Sequence, residues 1–417
     1  MAITPAQDLT MSAVGGEERK GAYTTALASL AVLYFVMGFI TCLNDTLVPF
    51  FRRGFKLTYA QSSLVQFYFF LTYGIMSIPA GRVVERTGYK KGMVWGFSIA
   101  AGGALLFFPA SAYHQYALFL AALFTIAIGI VLLQVAANPY VTALGPASTA
   151  SSRLALIQGA GSIGTTVAPL FGAGVILSHL HESHASSEAV KYPYLGIAGL
   201  LVLIALLVSA LKLPVIQRSS AVKEGEGASR RGVFSFRNLR LGIPAIFAYV
   251  GAEVAVGTFL TNYVADTLHI PENEANRYVS FYWGGMLVGR LLGAMVLRML
   301  RSAVVLSCCA TAAIVCVGIS IFTDGNLAVW SMVAVGLCNS IMFASIFSLA
   351  VEGLGSYSMR ASGWLSTAII GGAVMPFLQG VLKDHFSWKP AFLVPVVCYL
   401  YIVFYGLNGH KPFFKKH

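Results

Sequence analysis

The sequence predicts an all-α membrane protein with twelve transmembrane helices arranged as two six-helix halves, and three observations predict it. Hydrophobic residues make up 57% of the 417 and charged residues 11%, with a mean hydropathy of +0.75. A soluble globular chain carries about 25% charged residues. Apolar runs long enough to cross a bilayer recur from end to end, since about 20 helical residues span ~30 Å of hydrocarbon. Finally, the longest polar interruption, 214–240, leaves six such runs on each side.

The polar segment 1–23 is expected to be a cytoplasmic tail. The first run, 24–50, lacks a small-residue cleavage signature after it and reads as a retained span. Five more follow at about 60–81, 92–112, 115–144, 154–178 and 192–212, so the first half is 24–213. The stretch 214–240 mixes Ser, Gly and alternating charge, the composition of a flexible linker, here a cytoplasmic one. The second half, 241–408, holds runs at 241–265, 275–297, 303–322, 326–353, 361–382 and 390–408, before a cytoplasmic tail at 409–417. Placing the N-terminus in the cytoplasm puts 21 of the 28 Lys and Arg on that side, Arg82, Arg86, Lys90, Lys91, Arg290 and Arg360 among them. That is the positive-inside bias, and it absorbs the net charge of +12 without a nucleic-acid partner. Arg52, Arg53 and Lys56 run against the trend. The short loops suit a bacterial inner membrane, with the lipid bilayer as the main partner and a monomer as the expected unit. Six cysteines fall within spans at no metal-ligand spacing and read as apolar packing residues.

The halves repeat. Gly81-Arg82 matches Gly289-Arg290 at an offset of 208, while Gly129 with Gly336, Arg153 with Arg360 and Pro169 with Pro376 all match at 207. Parallel six-helix repeats with a binding site at their interface near the midplane describe the major facilitator architecture. An offset of 208 also carries Asp45 onto Glu253, although Gly38 and Gly251 suggest a rival offset of 213 for spans 1 and 7.

Asp45 and Glu253 are the two of the sixteen acidic residues that lie deep in apolar spans. An ionised group there costs at least a few kcal/mol, so it reads as functional by default. Loss of bulk water also favours proton uptake near working pH, which points to proton or cation coupling. The bland reading is a carboxylate bonding neighbouring helices. Around these acids the spans hold amides: Asn44, Gln66, Gln134, Asn138, Gln158, Asn262 and Asn339. A neutral polyol needs such groups because each hydroxyl both donates and accepts. Aromatic faces to cover a sugar ring could come from Tyr68, Tyr282, Trp283 and Trp364. Interhelical bonding explains any one amide equally well. With every Lys, Arg and His placed outside the span interiors, nothing is expected to neutralise an anionic substrate. His179, His181 and His184 lack helical framing for a metal, and there is no P-loop, so neither metal nor cofactor is expected.

The loop after span 2, Gly81-Arg82-Val-Val-Glu85-Arg86-Thr-Gly88-Tyr-Lys90-Lys91, resembles the cytoplasmic signature of the major facilitator superfamily. Gly81, Arg82, Glu85 and Arg86 are the gating candidates, the charged pair latching one conformation against neighbouring helix ends. The second half keeps Gly289-Arg290 without the acid, so the latch is one-sided. Three further elements are Gly38-Phe-Ile-Thr-Cys-Leu-Asn44-Asp45 in span 1, Gln134-Val-Ala-Ala-Asn138-Pro139-Tyr140 in span 4 and Tyr249-Val-Gly-Ala-Glu253 in span 7. With Gln158-Gly-Ala-Gly161 in span 5, they resemble the fucose–galactose–glucose:proton symporter family from about residue 30 to 400. The resemblance implies that Asp45 matches the proton-coupling acid of fucose symporters. Those symporters carry a second acid where this chain has Gln134 and an Asn where it has Gly161, a departure that looks like the glucose/galactose branch. Gln134 does not titrate, so coupling would rest on Asp45, with Glu253 in a supporting part.

The expected function is therefore secondary active symport of a neutral hexose, glucose or galactose, with a proton, by alternating access. Substrate contacts are expected from Asn44, Gln134, Asn138, Gln158, Glu253, Asn262, Trp283 and Asn339. Sodium as the coupling ion and a proton-driven exporter of organic cations are the alternatives. A nutrient receptor would call for a larger cytoplasmic segment, and an enzyme for a paired nucleophile and base.

Overall fold

Twelve long helices follow one another along the chain, which the computed structural model describes over residues 16–55, 59–171, 190–211 and 233–411. They are α1 Gly16–Gly54, α2 Tyr59–Thr87, α3 Tyr89–Ala112, α4 Tyr116–Ala143, α5 Ala150–Phe171 and α6 Lys191–Ala210. The second set is α7 Arg237–Leu268, α8 Glu272–Met299, α9 Ser302–Phe322, α10 Gly325–Val351, α11 Ser358–His385 and α12 Trp388–Gly409. Eleven are long and apolar enough to cross a membrane, and α5 completes the set. No strand occurs among the described residues. The three histidines of 179–184 lie outside them, as do the side chains of Asn44, Asp45 and Gln66.

Each half packs by the same plan. In the first, α1 lies on α5, α2 on α4, and α3 on α4 and α6; in the second, α7 lies on α11, α8 on α10, and α9 on α10 and α12. The equivalent crossings α1–α5 and α7–α11 are so close that only glycine fits. A Cβ on Gly164 would collide with the Phe35 carbonyl oxygen, and one on Gly371 with that of Phe247. Those glycines are 207 residues apart, as the later landmarks predict, but Phe35 and Phe247 are 212 apart. The register between α1 and α7 is therefore 212, within one residue of the rival offset, and it sets Glu253 level with Thr41 rather than with Asp45. The constant offset of the later spans does not extend to the first helix pair.

Backbone atoms at these crossings cannot move aside as a side-chain tip can. Gly164→Leu is expected to abolish folded protein, with Gly196→Ala, where nothing lies within 4 Å, leaving it intact. Yield of monodisperse protein in detergent checks this, and a well-folded Gly164→Leu would contradict the crossing.

Helix ends are closed by buried polar side chains. Arg153 donates to the carbonyls of Val141 (3.3 Å), Thr142 (2.8 Å) and Pro146 (2.9 Å), satisfying the last turn of α4. Asn238 does the same for α10, donating to Leu349, Ala350 and Glu352 carbonyls at 2.9–3.1 Å. Helix α7 begins at Arg237, inside the stretch read as linker, because Arg237 is held by the Asn408 and Lys411 carbonyls at the end of α12.

The halves meet chiefly along two seams, α2 with α11 and α5 with α8, with α4 also touching α11 and α5 touching α10. Both extend inward from the near face, the one on which α1 begins and α12 ends. On the first, Arg360 Nε donates to Glu85 Oε2 at 2.6 Å, Gly81 faces Gly363, Gly74 faces Ile370 and Gly372 faces Phe70. On the second, the Ser152 hydroxyl donates to the Ala294 carbonyl and Gly159 lies under Leu291. The repeat partners Arg153 and Arg360 thus do different work, one capping a helix within its half and the other crossing to the opposite half.

Candidate functional site

Inside the second half, a polar network is built around Glu253 on α7. Its carboxylate faces Arg290 of α8, Oε1 to Nη2 at 3.8 Å, with side-chain exposures of 13% and 19%. The hydroxyl of Tyr249, one turn earlier on α7, stands beside the same carboxylate. Tyr282 of α8 donates to the Glu253 carbonyl at 3.1 Å, and Asn339 of α10 donates to the Tyr282 hydroxyl at 2.9 Å. Tyr399 of α12 closes the set by donating to Asn339 Oδ1 at 2.9 Å. Helix α10 is interrupted at Ser340–Ile341, and the freed Ser340 carbonyl accepts from Arg290 Nε at 3.3 Å. Irregular backbone at membrane depth is tolerated where such a partner re-satisfies it.

This corrects the sequence expectation for Arg290. It is not one of the charges at the cytoplasmic face, and the span interiors do contain a cation. Its counter-charge, Glu253, makes the pair neutral, which is why the membrane tolerates both. The match of Gly289-Arg290 to Gly81-Arg82 is one of letters. Gly81 meets Gly363 across the seam, whereas Gly289 lies against Ser340 of its own half.

The first half contributes a smaller cluster. Tyr34 of α1 donates to Asn138 Oδ1 on α4, and Tyr73 of α2 reaches the Gln134 side chain one turn away. Asn138 Nδ2 and Gln158 Oε1 are buried polar atoms with no protein partner. Leaving such an atom unpaired costs about 1–3 kcal/mol, so a ligand able to pair with it gains accordingly. Helix α5 joins the clusters: Gly161 rests against the Tyr34 carbonyl, Ser162 bonds the Gln158 carbonyl, and Arg290 donates across the seam to Ser162.

The predicted residues thus separate into groups. Glu253 and Asn339 share one network, Gln134 and Asn138 the other, and Gln158 stands at their junction. Asn339 is fully buried with both ends of its amide held by tyrosines, so its hydrogen-bonding groups are committed to Tyr282 and Tyr399. Trp283 is 45% exposed, edge-on to Tyr282 at 5.1 Å and close to Gly257. Asn262 is exposed, more than two turns beyond Glu253. Trp364 packs on Phe234, which precedes α7, at 4.8 Å between ring centres and serves the near-face end rather than the interior. Of the gating candidates, Gly81 and Glu85 touch α11, while Arg82 and Arg86 are exposed.

Arg290, Ser162, Tyr34, Tyr73, Tyr249 and Tyr399 were not foreseen as site residues. For Arg290 the signal was present, since it lies fifteen residues into the run 275–297. Buried tyrosines on α-helices leave no comparable pattern.

Comparison with known proteins agrees with this fold. Residues 30–369 match the model of the Major Facilitator Superfamily. A glucose/galactose transporter of Brucella abortus is 48% identical over 397 residues, 93% of this chain and 95% of that protein. The L-fucose-proton symporter of Escherichia coli is 33% identical over 411 residues, 92% and 93% of the two chains. A crystal structure of the transporter FucP in the outward conformation superposes with a TM-score of 0.85 at 31% identity, covering 93% of this chain and 99% of that one.

Proposed function

Because this chain belongs to the major facilitator superfamily, we propose that it is a cation-coupled sugar carrier that moves a neutral hexose, glucose or galactose, together with a proton. It is a multi-pass membrane transporter and not an enzyme. The near face is assigned to the cytoplasm and the membrane to the bacterial inner membrane, on the charge bias of the loops. One chain, with its site between its own two halves, is the working unit.

The observation that carries this reading is the interior site where the halves meet, with Glu253 as acceptor and unpartnered amide atoms on Asn138 and Gln158. Sugar hydroxyls both donate and accept, so one ring can satisfy a carboxylate oxygen, an amide oxygen and an amide N–H together. Tyr282 and Trp283 offer apolar faces beside them. The seams close the near face beneath this site, so rocking the halves apart there would expose it to the cytoplasm. Arg290 already serves as the cation beside Glu253, which speaks against an exporter that binds an organic cation at that carboxylate. Asp45 is assigned the coupling proton on the family resemblance, with sodium as the competing ion.

Equilibrium exchange of labelled glucose in proteoliposomes tests the cargo. Unlabelled galactose is expected to compete more strongly than fucose. Absence of sugar exchange, with uptake of an organic cation instead, would overturn the assignment.

A further inference from the structure

Arg290 stands where both halves converge. Its guanidinium faces Glu253 of α7, donates to the Ser340 carbonyl of α10, and donates to the Ser162 hydroxyl of α5 in the opposite half. The α5–α8 seam begins at Ser152 and Ala294 near the cytoplasmic face and rises to Ser162 and Arg290. Ten residues of α5 separate those rungs, about 15 Å of helix. Beyond them Ile163 and Val167 on α5 and Trp283 on α8 are exposed. The bond from Arg290 to Ser162 is thus the innermost polar tie of that seam among the described residues, and it lies directly beside the site.

We propose that Arg290 is a positioning residue that makes closure of the cytoplasmic gate depend on the charge of Glu253. The proposal rests on the carrier reading, because it requires the halves to rock. A guanidinium inside the membrane needs a counter-charge, and Glu253 supplies it. Held between Glu253 and the Ser340 carbonyl, the side chain is pre-aimed at Ser162, and a charge-assisted bond there is stronger than a neutral one. Parting α5 from α8 breaks it. Neutralising Glu253 leaves the guanidinium without its partner, since the other group facing that carboxylate, Tyr249, is an uncharged phenol. The anchor of the gate then loosens. A site residue, its cation and the opposing half are thereby joined in one chain of contacts, so occupancy at Glu253 is communicated to the seam without any long-range path.

Hydrogen–deuterium exchange of the full-length protein in lipid nanodiscs, without sugar, tests this. Ser162→Ala removes the cross-seam bond and leaves Glu253 and Arg290 in place. It is expected to shift the balance toward the inward-open state about tenfold, which is ~1.4 kcal/mol. Exchange should rise in the cytoplasmic ends of α5 and α8 and fall in the opposite end of α8. Glu253→Gln should give the same reciprocal shift, and adding Ser162→Ala to it should change little more, the sign of one shared interaction. Unchanged exchange, acceleration at both ends of α8, or fully additive effects would overturn the proposal. If the reciprocal shift is present but the wild-type chain ignores both glucose and galactose, the gate stands and the cargo assignment falls.

Discussion

Replacing Glu253 by alanine is expected to abolish sugar uptake and to destabilise the protein measurably. The carboxylate is the counter-charge of Arg290 within the membrane, and both side chains are largely buried. Removing one partner of such a pair leaves an uncompensated charge and costs roughly 3–5 kcal/mol, with the lower end fitting a pair at this separation. The thermal midpoint in detergent should fall accordingly. Replacing both residues by methionine removes the unpaired charge and should recover most of that loss. Transport should stay absent in the double variant, because a methionine cannot accept a sugar hydroxyl. A Glu253→Ala protein as stable as the parent would contradict the ion pair, and a double variant that transports would contradict the role of Glu253 in the site.

Asp45→Asn is expected to separate coupling from binding. The asparagine keeps a similar shape and its hydrogen-bonding capacity but takes up no proton. Inward movement of one positive charge gains about 2.3 kcal/mol per 100 mV, roughly a 50-fold accumulation. The variant should lose that accumulation and still exchange labelled for unlabelled sugar across the membrane. The expectation rests on the resemblance and on Gln134, which cannot titrate, with Glu253 already engaged as the counter-charge of Arg290. Steady-state accumulation measured alongside equilibrium exchange checks it. Full accumulation by Asp45→Asn would move the coupling proton to another group.

The fold was legible because its signals are additive over many residues. Twelve apolar runs, one polar interruption and the lysine and arginine bias each integrate over tens of positions, so no single residue decides them. The two halves were legible from landmarks such as Gly129 with Gly336. The register of α1 against α7 was not, because it is fixed by contact of Gly164 and Gly371 with carbonyls of the neighbouring helix. Backbone contacts of that kind leave no periodic mark beyond the glycine itself. At the site, Glu253 was legible as an isolated charge in an apolar run. Arg290 carried the same mark, but the charge bias counts it among the cytoplasmic residues although it falls inside the run 275–297. The amides were legible by type but not by task. Asn339 and Asn138 look alike in sequence, yet one has its amide held at both ends by tyrosines while the other keeps a buried N–H unpaired. Only packing separates those outcomes.

The most direct test of the central claim is uptake of labelled glucose by the wild-type chain in proteoliposomes under an imposed inward proton gradient, with an equal sodium gradient as the comparison. Proton-coupled symport predicts accumulation above equilibrium with the proton gradient alone, abolished by a protonophore. Accumulation driven by sodium and indifferent to protons, or equilibration without accumulation under either gradient, would contradict it.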